Sequence, residues 1–193
     1  MSDRRVLLAG EGKDELGSWY DPIAPDSSMP GVLEALLIRI RSDGWSGGGA
    51  RRWASVRKLR AGGGYAPGVS NEERNVRALI LDAVESGCDV LAFSRDRDRD
   101  EQRENDINKA IADAHGIAVI GGVAVECLDS WCLALLRERR TEDLPSGGAK
   151  TTLEKRGPDR KAGIAESADL SAIPEDAKSL RAWLDAARRV IGT

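Results

Sequence analysis

The sequence contains very little histidine and cysteine, the residue types on which many nucleophilic and metal sites depend. It has one histidine, His115, and three cysteines. Three cysteines form no paired disulfide framework, and the spacing of Cys127 and Cys132 does not match a CxxC metal knuckle. His115 falls where a helix is expected to end, which is a sufficient structural role for it. We therefore expect reduced thiols and no Ser-His-Asp or Cys-His chemistry.

Long apolar runs and an excess of one charge are also missing. No uncharged stretch approaches the length of about 18 residues that a membrane span requires, and the first apolar run is too short for a secretion signal. The 29 lysines and arginines nearly balance the 32 aspartates and glutamates, for a formal charge of −3. We expect a cytoplasmic protein without membrane contact, in which any nucleic-acid surface is local.

Short apolar runs alternate with helical patterns along the first part of the chain. The runs are nearly continuous in apolar residues, which is typical of strands buried on both faces of a sheet; they cover residues 5–10, 90–93 and 117–120. Apolar residues at helical spacing separate them, over residues 32–40, 70–86, 103–115 and 125–136. This alternation predicts an α/β fold with a mostly parallel central sheet flanked by helices, in which the first run is the central strand.

The chain is long enough for one sizeable core and a small appendage. We assign residues 1–140 to the α/β domain and residues 141–193 to a linker and a C-terminal helical extension. The linker is expected at Pro145 to Gly148. An amphipathic pattern from Ala177 to Ile191 predicts a last helix that docks on a face of the sheet.

Acidic residues follow the predicted strand 90–93, in the alternating run Ser94 to Glu101. If the chain stays extended, Asp96, Asp98 and Asp100 lie on one side and the intervening arginines on the other. Two unit charges about 4 Å apart repel by roughly 4 kcal/mol at an effective dielectric near 20. Three converging carboxylates therefore need protons or a hard divalent cation. The alternative is a solvated loop in which arginine and aspartate neutralise each other.

Two further acidic pairs follow other predicted strands. Glu11 and Glu15 come after the first strand, and Glu126 and Asp129 come after residues 117–120. The last pair is three residues apart and would share one face of a helix, although acids at a helix start can also serve the helix dipole alone. Because the carboxyl ends of parallel strands meet at one edge, all three groups should lie close together. The sequence therefore predicts a metal site at this edge.

Common motifs do not account for these residues. The glycines between residues 10 and 17 fit neither the GxGxxG pattern nor the P-loop. In an EF-hand counted from Asp96, a glycine and an acid would be required where Glu101 and Ile107 stand. A haloacid-dehalogenase-like phosphatase would carry its acidic pair after the first strand rather than after a later one.

A basic stretch lies between the first two predicted sheet strands. Residues 44–49 are glycine-rich and expected to be a flexible break, and residues 51–60 alternate like an edge strand. Basic side chains near an aromatic ring suit a phosphate backbone and unstacked bases. We expect a local nucleic-acid track made of Arg51, Arg52, Arg57, Lys58 and Arg60, with Trp45 stacking on a base. The alternative is a solvated strand with one tryptophan in the core.

Two of these motifs together resemble a known family. The turn Ala-Gly-Glu11-Gly12-x-Asp14-Glu15, followed about 85 residues later by Asp96-x-Asp98-x-Asp100, looks like the Toprim domain of topoisomerases, primases and overcoming-lysogenization-defect nucleases. The segment from Asp129 to Ala134 is similar to the Glu-Ala-Trp-x-Leu-Ala helix of small stand-alone Toprim-like proteins in bacterial defence loci. The resemblance covers roughly residues 5–140. It departs at Gly10, where an apolar residue is usual, and at Asp129, which replaces glutamate.

The resemblance implies magnesium- or manganese-dependent cleavage of phosphodiester bonds in DNA or RNA. Glu11 is implied as general acid/base or metal ligand, with the main metal on Asp96 and Asp98. A second ion, about 3.5–4 Å from the first in two-metal sites, would take the remaining acids: Glu15, Asp100 and one of Glu126 or Asp129. Lys150 could neutralise transition-state charge or be an ordinary surface lysine.

Family members of this type often work with an ATPase, which this sequence does not contain. We therefore expect an effector subunit of a bacterial defence complex that acts on nucleic acid with an ATPase or other protein partner, or as a homo-oligomer. The alternative is a non-catalytic subunit with a Toprim fold, whose acidic edge is a partner surface or a structural cation site.

Overall fold

The computed structural model describes residues 3–20, 29–56, 68–157 and 160–192. Its strands are β1 (Arg4–Gly10), β2 (Trp45–Arg52), β3 (Val90–Phe93), β4 (Arg95–Asp96), β5 (Ala118–Ile120) and β6 (Val123–Ala124). Its α-helices are α1 (Lys13–Leu16), α2 (Val32–Ile40), α3 (Asn71–Glu85), α4 (Gln102–Ala112), α5 (Leu128–Leu135), α6 (Ser146–Arg156), α7 (Lys161–Ser167) and α8 (Lys178–Ile191).

The central sheet has four strands in the order β2-β1-β3-β5. All three neighbouring pairs run parallel, and β4 and β6 form a separate parallel pair. Parallel neighbours cannot be joined by tight hairpins, and helices lie between successive strands of the sheet. The predicted α/β class and the interior position of the first strand are both confirmed.

Successive residues of β1 and β3 point to opposite faces of the sheet and enter two apolar clusters. Val6 and Leu8 of β1 lie in a cluster with residues of α2, α5 and α8. Leu7 and Ala9 lie in a second cluster with residues of α3 and α4. The sheet is therefore the middle layer of three, which explains why β1 and β3 are apolar at nearly every position.

Several helix limits follow local sequence signals. Ser70 caps α3, because its Oγ accepts a hydrogen bond from the backbone N–H of Glu73 at 3.1 Å. The last helix docks on the sheet as predicted: Trp183 is fully buried and its indole N–H donates to the backbone oxygen of Phe93 at 2.9 Å. In the described parts of the chain, every helix is too short or too polar to cross a bilayer.

The glycine-rich segment expected to be a flexible break is instead most of strand β2. The pairing of β1 with β2 skips Gly48, which lies in a β-bulge between the partners of Val6 and Leu7. A side chain at Gly48 would place its Cβ 2.5 Å from Sγ of Cys88. Glycine is therefore required for close packing, a demand that composition alone does not reveal. The strand ends at Arg52, so the expected strand over 51–60 is wrong for residues 53–56, where a 3₁₀ turn (Trp53–Ser55) follows.

Two other expectations about segment limits are also wrong. The expected linker at Pro145 to Gly148 is the beginning of α6, with Pro145 at the N-cap position, where its missing N–H costs nothing. The helix expected from Val125 begins at Leu128, because Glu126 adopts a left-handed conformation with φ of +66° that a helix cannot include.

Replacing Gly48 with alanine should destabilise the protein. The added Cβ would force Cys88 or the bulge to move, and overpacking of this kind costs about 1–3 kcal/mol. Gly163 of α7 is the matched control, since a Cβ there meets no heavy atom within 4 Å, and glycine-to-alanine in a helix stabilises by about 0.4–1 kcal/mol. Urea unfolding of both variants gives the comparison. Equal free energies of unfolding for the two variants would contradict the packing role of Gly48.

Candidate active site

The register of β1 and β3 brings two acidic segments to the same edge of the sheet. Ala9 pairs with Phe93, so the segments that begin at Glu11 and Arg95 leave the sheet side by side. The β4–β6 pair then places Asp96 opposite Ala124, just before the start of α5. Residues far apart in sequence therefore meet where the parallel strands end, as predicted for an open α/β sheet.

Asp96 is the central carboxyl group of this edge. Its Oδ1 accepts a hydrogen bond from the backbone N–H of Leu128 at 3.0 Å, which ties β4 to the first residue of α5. Burial, followed by the negative charges of Glu11 and Glu15, raises the pKa of Asp96 from 3.8 to about 8. Without a cation, the carboxyl therefore keeps its proton near neutral pH.

Glu11 lies next to Asp96 and is held by two donors on the same oxygen. Its Oε1 accepts hydrogen bonds from the backbone N–H of Asp96 at 3.1 Å and from the guanidinium of Arg95. Arg95 also donates to Oε1 of Glu72 at 3.1 Å, and its guanidinium carbon lies 5.2 Å from the ring centre of Trp53, within the range of a cation–π interaction. Arg95 therefore joins the end of β1 to the start of α3.

Glu15 is buried, with 5 % of its surface exposed. Its Oε2 accepts the backbone N–H of Gly12 at 2.9 Å, which caps α1. Burial raises its pKa, and the nearby charges of Glu11 and Asp14 raise it further against the lowering effect of backbone hydrogen bonds. The close approach of α1 also explains Gly10, since a Cβ there would lie 2.7 Å from Cβ of Glu15.

The predicted alternation of the acidic run fails after Asp96, because the extended strand ends there. Asp98 and Arg99 adopt left-handed conformations, with φ of +49° and +64°, and turn the chain towards α4. Asp98 Oδ2 lies 3.0 Å from Nη1 of Arg103. Asp100 Oδ1 accepts the backbone N–H of Gln102 at 3.1 Å. Asp98 and Asp100 therefore do not converge with Asp96 in the way that an extended strand would require.

Glu126 and Asp129 do not share a helical face, because Glu126 precedes α5. The guanidinium of Arg97 forms an ion pair with Glu126. Asp129 is buried, and Oδ1 of its carboxylate lies 2.7 Å from Nζ of Lys161. The same ammonium lies 2.7 Å from Oδ2 of Asp14. A basic residue thus occupies the position beside Asp129 where a second metal ion was expected.

Lys150 does not reach the Glu11–Asp96 edge. It is exposed on α6 and lines a separate cleft of about 330 Å³ together with Asp129 and Lys161. Lys161 is the more central cation of that cleft, because it bridges two carboxylates. Burial lowers the pKa of Lys161, but its hydrogen bonds to Asp129 and Asp14 outweigh this effect and raise the pKa overall.

The expected nucleic-acid track is described only in part. Arg57, Lys58 and Arg60 lie outside the described residues. Arg51 and Arg52 pair with Ala9 and Gly10 at the acidic edge, and Arg51 forms an ion pair with Asp82 at 2.8 Å. Trp45 is at the opposite end of β2, packed against the core, and its indole N–H donates to the backbone oxygen of Arg41 at 2.8 Å. It is not available to stack on a base at this edge.

The donor set has the chemistry, though not the closed geometry, of a divalent-cation site. No group of three histidine, cysteine, aspartate or glutamate side chains within the described residues is arranged to hold a metal ion. Mg²⁺, however, is commonly bound by one or two carboxylates, with water and substrate phosphates completing its shell. Glu11 and Asp96 each use one oxygen in their hydrogen bonds described above. A pair of neighbouring carboxylates, in which burial and the charge of Glu11 raise the pKa of Asp96, fits such an open site.

Sequence reasoning missed several residues that shape the site. Glu72 and Arg103 are 61 and 92 residues from Glu11 in sequence and belong to no metal or catalytic motif, yet both contact the acidic run. Lys161 lies in the predicted extension, outside the resemblance. Trp53 is an aromatic residue within the basic stretch 51–60, but no sequence pattern predicted that Arg95 would lie over its ring. These contacts depend on tertiary packing alone.

Comparison with protein-family models, with curated proteins and with solved structures finds no match to this chain.

The stability of the metal-free protein should depend on Asp96 with a defined sign. Between its unfolded pKa near 3.8 and its folded pKa near 8, the folded protein holds a proton that the unfolded chain has released. This contribution to stability is complete below pH 3.8 and is lost as the pH rises through about 8, with a limiting slope of about 1.4 kcal/mol per pH unit. Asp96→Asn removes this contribution, so the free energy of unfolding of the variant, relative to that of the parent, should increase as the pH rises.

Urea unfolding in EDTA at pH 5, 6.5 and 8, values chosen to span this window, measures the effect. Asp185→Asn, an exposed carboxyl-to-amide change on α8, is the matched control. Parallel stability profiles for the parent and Asp96→Asn would show that Asp96 does not hold a proton in the folded protein.

Replacing Lys161 with methionine should destabilise the protein. The change leaves the buried carboxylate of Asp129 without its cation, and a partly exposed pair of this kind should cost about 1–3 kcal/mol. Lys150→Met, on the same cleft but exposed, should change the free energy of unfolding by less than about 0.5 kcal/mol. Chemical denaturation at pH 7 distinguishes the two. Equal effects would mean that Lys161 is an ordinary surface lysine.

Proposed function

We propose that this protein is a magnesium- or manganese-dependent nuclease of the Toprim type, which cleaves phosphodiester bonds of DNA or RNA. The observation that carries the proposal is the pair of neighbouring carboxylates, Glu11 and Asp96, at the carboxyl edge of a parallel sheet. The charge of Glu11 is one of the causes that raise the pKa of Asp96 to about 8. Such a pair is best relieved by a divalent cation.

Glu11 and Asp96 would hold the ion, with Glu15 close behind them. When bound, the ion would supply Lewis-acid stabilisation of the phosphoryl oxygens. Glu11, if freed from Arg95, is the carboxylate placed to take a proton from an attacking water. Asp98 and Asp100, which follow the turn towards α4 and contact Arg103 and the backbone N–H of Gln102, would not be ligands of this ion. Asp129 would act with Lys161 rather than with a second metal ion.

Basic residues around the edge would bind the substrate backbone. Arg95 and Arg97 form ion pairs with Glu11 and Glu126. A substrate phosphate can compete with these carboxylates, because phosphate and carboxylate groups both bind a guanidinium group through two hydrogen bonds. Arg52, at the carboxyl end of β2, would continue this surface. We place the protein in the cytoplasm as an effector subunit of a defence complex, with an ATPase or another protein as its partner, or as a homo-oligomer.

A second candidate function is a non-catalytic binding subunit that uses the same edge as a partner surface. The observation in its favour is that arginine or lysine already neutralises most of the acids, through the Arg95–Glu11, Arg97–Glu126, Arg103–Asp98 and Lys161–Asp129 pairs. Such an edge is stable without a metal ion. Metal binding therefore distinguishes the two functions.

The nuclease proposal predicts that Asp96→Asn and Glu11→Gln abolish metal-dependent cleavage. The purified protein is incubated with plasmid, single-stranded DNA and total RNA in the presence of Mn²⁺, alone and with the products of its neighbouring genes. Loss of a cation ligand should lower the rate at least about 100-fold, the size of effect typical of a lost catalytic group. Calorimetry should show Mn²⁺ binding to the parent and weaker binding to both variants.

Asp185→Asn is the control, since it changes the same functional group at an exposed position of α8, where the carboxylate pairs with Arg188. Cleavage by Asp96→Asn at the parent's rate would contradict the proposed nuclease function. Absence of Mn²⁺ binding by well-folded parent protein at millimolar metal, a concentration generous for an open two-carboxylate site, would favour the binding subunit.

A further inference from the structure

A second, larger cleft adjoins the Glu11–Asp96 edge. It has a volume of about 940 Å³ and lies between the end of β1, the Trp53 turn, the start of α3 and the α4 region. Glu11 and Arg95 form the wall that it shares with the candidate active site. Clefts of several hundred cubic ångströms are large enough for one small-molecule unit such as a nucleotide.

Buried polar atoms without a partner are concentrated in the walls of this cleft. Trp53 and Asn75 are 6 % and 9 % exposed, and within the described residues Nε1 of Trp53, Oδ1 of Asn75 and Oε2 of Glu72 have no hydrogen-bond partner. All three side chains line the cleft. An unpaired buried polar atom costs free energy, because it has lost its water without gaining a replacement. A ligand that supplies the missing partners after a small side-chain shift would recover that cost.

The charges around the cleft argue against a phosphate group inside it. Among the charged side chains that line it, the four carboxylates of Glu11, Glu72, Asp100 and Asp106 outnumber the two guanidinium groups of Arg95 and Arg103. The arginines are also engaged, since Arg95 pairs with Glu72 at 3.1 Å and Arg103 with Asp98 at 3.0 Å. The cleft therefore favours an uncharged ligand that both donates and accepts hydrogen bonds, and a nucleobase has this character.

The unpaired atoms also distinguish between bases. Oε2 of Glu72 and Oδ1 of Asn75, three residues apart on α3 and so on one face of it, offer two acceptors, and Nε1 of Trp53 offers one donor. In the described part of the chain, Nε of Arg95 and Nε of Arg103 also lack a hydrogen-bond partner, but both guanidinium groups are already held in ion pairs with Oε1 of Glu72, at 3.1 and 3.3 Å. The Watson–Crick edge of guanine carries two donors, N1–H and the 2-amino group, and one acceptor, O6. The edges of adenine, cytosine and uracil each carry a single donor group, so none of them satisfies both acceptors through separate groups.

We propose that this cleft holds one unpaired guanine of the nucleic-acid substrate, beside the phosphate at the Glu11–Asp96 edge. Glu72 and Asn75 accept hydrogen bonds from the guanine edge, and the indole N–H of Trp53 donates to O6. The proposal rests on the proposed function for its choice of a nucleic acid as the source of the base. Extrusion of a base into a pocket is a common way for proteins to read single-stranded or unpaired nucleotides.

The test is binding of nucleoside monophosphates to the full chain in EDTA, measured by calorimetry and by the indole N–H signals in a ¹H–¹⁵N spectrum. GMP should bind at least about tenfold tighter than AMP, CMP or UMP, because a site built for hydrogen bonding rejects a ligand that leaves its groups unpaired. IMP, which lacks only the 2-amino group, should bind about fivefold more weakly than GMP. GMP should shift the indole signal of Trp53.

Internal controls are present in the same spectrum. The indole N–H groups of Trp131 and Trp183 already donate to Oγ of Ser179 at 2.7 Å and to the backbone oxygen of Phe93 at 2.9 Å. Their signals should not move when GMP is added. The spectrum of Trp53→Phe identifies the Trp53 signal by its absence.

Variants separate loss of binding from loss of folding. Trp53→Phe removes the N–H donor together with part of the indole ring, and Asn75→Leu replaces the amide with an apolar group of similar size, so both should weaken GMP binding at least about fivefold. Asn75→Leu should unfold at the parent's urea concentration or higher, and Trp53→Phe at a lower concentration because a packed ring is lost, so urea unfolding establishes that each variant is folded under the binding conditions. Trp131→Phe should show the opposite pattern, with lower stability and unchanged GMP affinity, because its indole N–H has a partner.

Equal affinity for all four monophosphates, or no indole shift at millimolar GMP, would overturn the guanine site. So would unchanged GMP affinity in both Trp53→Phe and Asn75→Leu. Because the assay contains neither metal nor a scissile bond, its outcome is separate from catalysis. GMP binding without any metal-dependent cleavage would overturn only the proposed nuclease function, and cleavage without GMP binding would overturn only the guanine site.

Discussion

The parallel pairing of β1 with β3 is the constraint on which the site depends. Both strands are buried on both faces, with Leu7 and Leu91 in one cluster and Leu8 and Ala92 in the other. A shift of one residue would move every side chain to the opposite cluster, where its size and shape would not match its neighbours, so the packing of the two clusters fixes the register. The same register fixes which residues leave the sheet together. Glu11 and Asp96 are neighbours because the core beneath them admits one alignment.

Charge at this edge is organised by contacts between distant segments rather than by the alternating run itself. The run was open to two interpretations, a metal-binding row of carboxylates or a loop whose arginines and aspartates neutralise each other. The structure contains neither a converging row of carboxylates nor a loop whose arginines and aspartates neutralise only each other. Arg95 and Arg97 pair with Glu11 and Glu126, from other segments of the chain, and this leaves Asp96 with a neutral partner, the backbone N–H of Leu128. Within the described contacts, neither Asp96 nor Glu15 has a direct ion pair, and the pKa of each is raised.

The sequence was informative wherever a short-range pattern has one physical outcome. Continuous apolar runs predicted the parallel sheet, the helical spacing over residues 70–86 predicted α3, and the amphipathic pattern from Ala177 to Ile191 predicted that the last helix would dock. Strand ends then located the acidic edge without any knowledge of side-chain contacts. This much follows from periodicity and from the geometry of parallel strands.

The sequence was misleading wherever the same residue types are compatible with two different local structures. Glycine at residues 44–49 can mean flexibility or close packing, and the neighbouring Cys88, forty residues further along, decides for packing at Gly48. Pro145 can interrupt a helix or begin one. Alternating charge after Phe93 suggested an extended chain, but the left-handed conformations at Asp98 and Arg99 are imposed by contacts with α4. The deciding partner is forty residues away at Gly48 and five residues away at Asp98, which contacts Arg103.

Arg95 is the residue through which the acidic edge and the adjoining cleft share their electrostatics. Its guanidinium donates to Glu11 at the edge and to Glu72 in the cleft, and it lies over the ring of Trp53. One cation therefore offsets carboxylates in two places. Any group that draws Arg95 towards Glu72 leaves Glu11 more negative and a divalent cation more strongly attracted to the Glu11–Asp96 pair. Conversely, a cation bound at that pair would repel the guanidinium towards the cleft, so cation binding at the edge and ligand binding in the cleft would be coupled through this one side chain.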